Sequence, residues 1–451
     1  MNVFDLTIPG ATLARELLLA PNEAKEALAQ AGFQDPERVL RNLEDLADPR
    51  AFGQLPDAFF RDLIDAANPD LALNNFERLV QAAISRAAFL RQLEDRPGLC
   101  RLLLRVLGGS PFMADILVRD PESFYWLTDR PERIAESSDY ESLLTEFDQA
   151  TQAVESRDHK LNAIRRTARR ELLRIGVGDL AGDRAIQYVA ADLSVLADVC
   201  LQILIDILMP DLEARYGMPQ DANGQSVGFA VIGLGKLGGM ELNFSSDIDL
   251  MFVYGAEGNT DGGVDGNVVS NQEFFTRLCE QIVRGATEVT EEGFLYRIDM
   301  RLRPDGAAGA LVMPLSGYEG YYMRRGELWE RQMLIKARQC AGSERLGQRF
   351  LEMVQPFVYP RYFEVSPAAE IHRIKGRIEN VLGRKGQGET HLKLRSGGIR
   401  DVEFIVQCLQ LLVGRMHKNA RSDNTLEAIR QLQRVSSLSE EEAESLKAAD
   451  V

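Results

Sequence analysis

Apolar residues recur at i, i+3 and i+4 spacing over Leu40–Leu46, Phe59–Ala67, Leu71–Leu93 and Leu99–Leu107, which predicts a run of short amphipathic helices. Ser110-Pro111 ahead of Phe112 has the capping side chain and ring of a helix start, and Asp120-Pro121 ends that helix and opens another. No strand of length and no chemical motif stands out before about residue 145, so residues 1–145 are expected to form an N-terminal helical domain with a supporting or partner-docking role. A charged helix is predicted over about 144–180, with Arg165, Arg166, Arg169, Arg170 and Arg174 covering much of one side. That face reads either as solvated or acid-paired, or as a docking surface for an acidic partner. A long amphipathic helix follows over 185–209, and residues 146–215 read as a helical connector. Its apolar run from Leu193 to Met209 is broken by Asp198 and Asp206, which predicts a buried helix and not a membrane span.

The pattern then changes. Asp211–Ser226, with Gly, Pro, Asn and Asp, reads as a linker into a strand over Val227–Gly233. Leu250–Tyr254 finishes a second strand, which carries Asp247 and Asp249, and Gly255–Val269 is a Gly/Asp/Asn-rich loop. Ser270-Asn-Gln-Glu273 is a capping box that starts a helix to about Val289. From Tyr296 the chain alternates strictly, with Tyr296, Ile298, Met300 and Leu302 on one face and Arg297, Asp299, Arg301 and Arg303 on the other, which predicts a third strand over Arg297–Arg303. The order strand–turn–helix–strand–helix–strand gives a small α/β domain over 216–345. Residues 346–451 return to helical patterning, with Ser366-Pro367 as a cap and Lys393–Phe404 leading into a helix through Val413. The expected fold class is α+β, a small mixed-sheet domain flanked by N-terminal and C-terminal all-helical domains. The charged helix ending at Asp450-Val451 has no closing turn, which reads as part of something longer.

The middle segment also carries the chemistry. On a strand Asp247 and Asp249 point the same way while Ile248 and Leu250 face a core. Two carboxylates that close repel each other unless a cation sits between them, and oxygen ligands suit a hard ion such as Mg²⁺. The glycines just before them in Gly233-Leu-Gly-Lys-Leu-Gly-Gly239 let backbone N–H groups approach an anion. Asp299 reads as a third metal carboxylate among phosphate-binding arginines, the alternative being a surface ion-pair ladder. Lys236 reads as a turn residue or a site cation. Trp329-Glu330-Arg331 with Lys336 and Arg338 reads as a helix face that reaches the site or as an ordinary amphipathic helix. Arg400, Asp401 and Glu403 open a helix after two glycines, where acids favour the helix dipole in any case.

Composition narrows the class. A chain of 451 residues is long enough for two to four domains. A net charge of −16 argues against wholesale nucleic-acid binding and suits a soluble protein with a local basic site. Five scattered cysteines with no C-x-x-C predict reduced thiols in a cytoplasm and no zinc site, and four scattered histidines give no metal or triad spacing. His372 and His391 read as plain surface or satisfied residues, and no signal peptide or membrane segment is visible.

Two glycines, then Asp-x-Asp, then a third Asp on a later strand resembles the DNA polymerase β-type nucleotidyltransferase superfamily. Four motifs in order make a narrower match: Gly235–Asp249, Arg297–Pro304, Trp329–Arg338 and Ser396–Phe404. Together they resemble the bifunctional glutamine synthetase adenylyltransferase/adenylyl-removing enzyme family, which has two tandem nucleotidyltransferase halves. The Asn243–Asp249 segment is similar to the N-terminal half, and the start at Met1 with the abrupt end at Val451 fits such a half. The resemblance implies removal of AMP from a tyrosine of glutamine synthetase by inorganic phosphate, with release of ADP. It implies two Mg²⁺ ions held by Asp247, Asp249 and Asp299, and a phosphate seated against Gly238, Gly239, Ser245 and Ser246. Arg297, Arg301, Arg303 and Lys336 would neutralise that phosphate. Adenylylated glutamine synthetase and a PII-type signal protein are the implied partners. ATP-dependent adenylylation of a protein tyrosine is the first alternative, and a regulatory module with a vestigial site is the second.

Overall fold

Helix starts in the N-terminal region are set by short polar side chains. Asn68, Ser85 and Ser110 each accept the backbone N–H three residues on, and Pro69 and Pro111 follow two of them. The Ser85 cap divides the expected Leu71–Leu93 helix into Pro69–Ala82 and Arg86–Asp95. In the same way the charged helix expected over 144–180 is two helices, Tyr140–Gln152 and Arg157–Ala181, with Ser156 capping the second through the N–H of His159. The computed structural model describes Leu6, residues 8–46, 55–182, 184–264, 266–362, Ala369 and residues 399–450. The Ser366-Pro367 cap, His372, His391 and the 393–398 stretch of the last motif lie outside the described residues.

The chain packs as two compact units. The first joins Met1–Ser137 to Arg169–Val189. Its core holds a line of rings, with Phe59 to Phe76 at 4.9 Å, Phe76 to Phe89 at 6.5 Å and Phe89 to Phe124 at 5.1 Å between centroids. Beside Phe124 an apolar cavity of about 370 Å³ is lined by Leu102, Leu103, Val106, Leu117 and Val177 among others.

The second unit joins Ser138–Ala168 to Ala190–Val451 and contains the sheet. Its strands are β1 (Pro219–Asp221), β2 (Phe229–Leu234), β3 (Ile248–Tyr254), β4 (Gly258–Thr260), β5 (Ile298–Asp299), β6 (Val312–Pro314) and β7 (Arg338–Gly342). β1 and β4 form a separate two-stranded pair inside the segments expected to be linker and loop. In the main sheet β2 runs antiparallel to β3 and β7, while β5 and β6 both pair parallel with β3. β2 is buried along its whole length because both faces are covered. Phe229 and Tyr254 stack on Phe275 of the helix Asn271–Thr287. Ala230, Ile232, Met251 and Val253 pack against Tyr318, Phe350 and Val354 from the helices Leu315–Arg324 and Glu344–Val358.

Two expectations are corrected and one is resolved. The helix expected to stop at Met209 runs on through Pro210 to Tyr216. Most of its apolar residues from Leu193 to Leu212 are core, so the one helix among the described residues that is long and apolar enough to cross a membrane is largely buried inside the protein. On the arginine face the acid-paired reading is met, with Arg166 against Glu292 at 3.0 Å and Arg170 against Asp120 at 3.3 Å, and two of its arginines are buried. Arg165 is buried and donates to the carbonyls of Gly285, at 2.8 Å, and Glu288, at the end of the helix Asn271–Thr287. Arg174 is buried against Glu171 at 2.8 Å and donates to the carbonyls of Arg133 and Glu136. Finally, the strand expected over Arg297–Arg303 contains only Ile298 and Asp299. Asp299 accepts the N–H of Arg301 at 2.8 Å, which takes that amide off the ladder, and Pro304 has no N–H to restore it.

Candidate functional site

The site begins with register. β2 feeds directly into a one-turn helix, Gly235–Gly238, and Leu234 pairs with Asp249 across β2 and β3. On the other edge of β3, Ile248 pairs with Ile298 and Asp249 with Asp299. Ile248 and Leu250 are fully buried, so Asp247 and Asp249 are held on the opposite face. All three aspartates line one cavity of about 760 Å³. Gly235 and Lys236 line it from the turn, and Ser245 and Ser246 from the loop before β3. Arg297, Arg301 and Leu302 line it from the β5 segment, and Trp329, Gln332, Met333 and Lys336 from the helix Leu328–Leu334 and its exit. Arg400, Glu403, Phe404 and Gln407 come from the helix Ile399–Val413.

Each acid is already engaged. Arg297 donates to Asp247 at 2.5 Å and to the Ser245 carbonyl, and Ser245 sits in the left-handed region at φ 58°. Arg301 grips both oxygens of Asp299, and its hydrogen bonds hold that carboxyl below the usual carboxylate range despite partial burial. The side chains of Arg297 and Arg301 are 58% and 79% exposed, so letting go of the acids costs little. Gly235 has φ 54°, and a Cβ on it would stand 2.7 Å from Oδ2 of Asp249. Glycine there lets the backbone come within contact of the acid.

The glycines named from the sequence are placed differently. Gly238 and Gly239 do not line the cavity. A Cβ on Gly238 would collide with the Lys336 carbonyl, and one on Gly239 would meet the Asp423 carbonyl and the Glu241 carboxylate. Arg303 also lies outside the lining, its guanidinium donating to the carbonyls of Met300, Ala307, Gly309 and Ala310. Lys336 reaches the wall but is only 4% exposed, lying between Glu241 at 2.6 Å and Glu403 at 2.9 Å. Burial alone would favour the neutral amine; the two carboxylates outweigh it and hold the ammonium above its ordinary range. Trp329–Arg338 is not one helix face: the helix ends at Leu334, Lys336 lies in the turn and Arg338 starts β7. Arg338 grips the buried Asp198 through both nitrogens, at 2.6 and 3.0 Å. Glu241, Gln332 and Gln407 were not singled out from the sequence. Glu241 lies inside the Gly235–Asp249 motif and Gln332 inside Trp329–Arg338, which were the available signals.

Among the described residues no group of three or more His, Cys, Asp or Glu side chains is closed up around a metal position. The donor set nonetheless fits a hard cation: three carboxylates, all oxygen, open to one cavity and held apart by displaceable guanidinium groups.

A small mixed sheet with Asp-x-Asp on one strand and a third Asp in register on its parallel neighbour, behind a glycine turn, is a nucleotidyltransferase-type domain. Residues 100–353 match the model of the glutamate-ammonia ligase adenylyltransferase family, and the chain belongs to that family. Residues 369–451 match a second model, described as GlnD PII-uridylyltransferase. A bifunctional glutamine synthetase adenylyltransferase/adenylyl-removing enzyme of Thioalkalivibrio sulfidiphilus is 39% identical over 310 residues, 69% of this chain and 31% of its own length. Proteins of the same name from Shewanella woodyi and Pseudomonas aeruginosa are 36% and 37% identical over 72% and 75% of this chain. The chain spans about a third of the length of these relatives.

Proposed function

We propose that this chain removes AMP from an adenylylated tyrosine of glutamine synthetase by phosphorolysis, releasing ADP. The observation that carries the reading is the pairing of Asp249 with Asp299, with Asp247 beside them, in a cavity that also presents Arg297, Arg301 and Arg400. The relatives' name supplies the substrate class and includes an adenylyl-removing activity.

In the reaction an oxygen of hydrogen phosphate bonds to the α-phosphorus, the bond from that phosphorus to the tyrosyl oxygen breaks, and the proton of the phosphate ends on that oxygen. Asp247, Asp249 and Asp299 are the residues that would hold Mg²⁺, with two ions expected. When bound, the metal supplies charge stabilisation for the entering and leaving oxygens. Arg297 and Arg301, released from the acids, bind the incoming phosphate and orient it in line. Ser245 and Ser246 offer hydroxyls at the same wall. Hydrogen phosphate is already a nucleophile, so no histidine base is required, and no histidine is among the described residues that line the cavity.

The family match to PII-uridylyltransferase over 369–451 supports regulation by a PII-type signal protein, and the free cysteines suit a cytoplasmic setting. The same acids serve ATP-dependent adenylylation, which the relatives' name also includes. Incubating adenylylated glutamine synthetase with Mg²⁺, with and without phosphate, separates the readings. Phosphorolysis gives ADP only when phosphate is present. AMP accumulating at full rate without phosphate would mean hydrolysis, and label appearing on unmodified glutamine synthetase from ATP would mean the forward transfer.

A further inference from the structure

We propose that Glu241, Lys336 and Glu403 form a positioning clamp that seats the helix Ile399–Val413 against the glycine turn and so fixes the cavity wall bearing Arg400. Its ligand readout rests on the nucleotidyl-transfer reading above; the clamp itself does not. Three segments far apart in sequence meet at one ammonium group. Lys336 leaves the helix Leu328–Leu334, Glu241 follows the turn Gly235–Gly238, and Glu403 sits in the first turns of the helix Ile399–Val413. Glu241 reaches further: it accepts the backbone N–H of Thr425 and, at 3.1 Å, its hydroxyl, at the start of the helix Thr425–Arg434. Asn424, the cap of that helix, donates to the Gly239 carbonyl at 3.0 Å. A buried bond of 2.8 Å from Gln332 to Gln407 adds a neutral strut.

The need for a clamp follows from the packing. The helices after residue 399 hold a core of their own, built on Val402, Val406, Ala428, Ile429 and Leu432. Leu411, Phe404 and Cys408 pack instead on the sheet-side core. The cavity-facing end of the first helix, with Arg400, Glu403 and Gln407, is therefore set by polar contacts to the turn and not by apolar packing alone. Those contacts are directional and low in solvent, so they fix distance and angle closely. The Lys336 ammonium is buried and already shared by two carboxylates, which opposes its serving a phosphate as well. Lys336 thus acts through the helix as a positioning residue, and Arg400 is the cation it aims.

The test uses the whole chain with three variants, Lys336→Met, Lys336→Arg and Glu403→Gln, and two readouts. Backbone hydrogen exchange over residues 399–413 reads the seating of the helix without any ligand. Trp329 fluorescence on titration with ADP and Mg²⁺ reads the cavity. Lys336→Met and Glu403→Gln should speed exchange over 399–413 and weaken ADP about 10-fold, with kcat at saturation changing less. Lys336→Arg should restore much of both. Glu403→Gln keeps the Lys336–Glu241 pair, which guards against simple misfolding of Lys336→Met. Unchanged exchange over 399–413 in both Lys336→Met and Glu403→Gln overturns the clamp. So does a collapse of kcat with unchanged ADP affinity, which would make Lys336 a group that acts on the transition state itself. Faster exchange in the variants of a protein whose Trp329 never responds to ADP supports the clamp and overturns the nucleotide reading.

Discussion

Asp249 and Asp299 stand directly opposite each other on parallel strands, as a registered pair. Asp247 lies two residues earlier on the same face, so one strand pairing assembles all three carboxylates. Replacing Asp249 with Asn removes a charge from this group without changing its shape. ADP formation from the adenylylated protein and phosphate at ordinary Mg²⁺ should fall by at least about 100-fold, the scale of losing one group that stabilises transition-state charge. The melting temperature should hold or rise, because like charges are relieved. Retained turnover in Asp249→Asn, measured with adenylylated glutamine synthetase, would remove the acid from the mechanism.

Arg301 gives Asp299 an acid-side signature. Its hydrogen bonds lower the folded-state pKa of Asp299, so their contribution to stability is complete above the ordinary carboxylate value of 3.8. It is lost as pH falls through the lowered folded value. Carboxyl NMR of Asp299 without metal should show a midpoint below 3.8, moving up toward it in Arg301→Ala. The stability difference between the two proteins should be present at pH 7 and vanish in strong acid. A midpoint at or above the ordinary value in the parent would show that Arg301 does not hold this carboxyl in solution.

Gly235→Ala should be costly twice over. The left-handed backbone at φ 54° is unfavourable for alanine by about 1–2 kcal/mol. The new methyl would also press on Asp249 Oδ2 at 2.7 Å. Urea unfolding should show the first effect, and a turnover loss larger than that of Lys236→Ala should show the second. An alanine protein with unchanged stability and rate would mean that the turn differs from the one described.

The Asp198–Arg338 pair ties the long apolar helix to β7. Asp198 is 7% exposed on its side chain and Arg338 21%, so removing one partner strands a largely buried charge. Asp198→Ala should cost about 3–5 kcal/mol, toward the lower end because Arg338 keeps some water. The double change Asp198→Leu with Arg338→Met should cost less than Asp198→Ala alone. Equal losses in the single and double variants, by urea melts, would argue against an ion pair at this point.

The acids were legible because β3 has a period of two, which fixes Asp247 and Asp249 on one face once Ile248 and Leu250 go into the core. β5 was over-extended because Tyr296–Arg303 alternates perfectly. Only the turn from Asp299 back to the Arg301 amide ends the strand, and side-chain bonding of that kind leaves no trace in the pattern. β6 and β7 were missed because they are short and their sequences carry no clean alternation. Arg165 looked like a surface residue because the carbonyls that bury it lie 120 residues away. Gly238 and Gly239 were read as an anion cradle because glycine permits it. The same lack of a side chain instead lets the Lys336 and Asp423 carbonyls approach, a choice that tertiary packing makes.

The parallel match of β5 to β3 also sets when the site can exist. A parallel neighbour needs a crossover, and here Asp299 follows Asp249 by 50 residues, with the helix Asn271–Thr287 between them. At a ribosome adding 5–20 residues each second, β3 waits roughly 3–10 s for its partner strand to be made. During that interval one edge of a strongly apolar strand is bare, the condition under which nascent chains stick to one another. The half-built protein therefore needs a chaperone through the interval in which its acids meet, until β6 covers Phe252–Tyr254 as well.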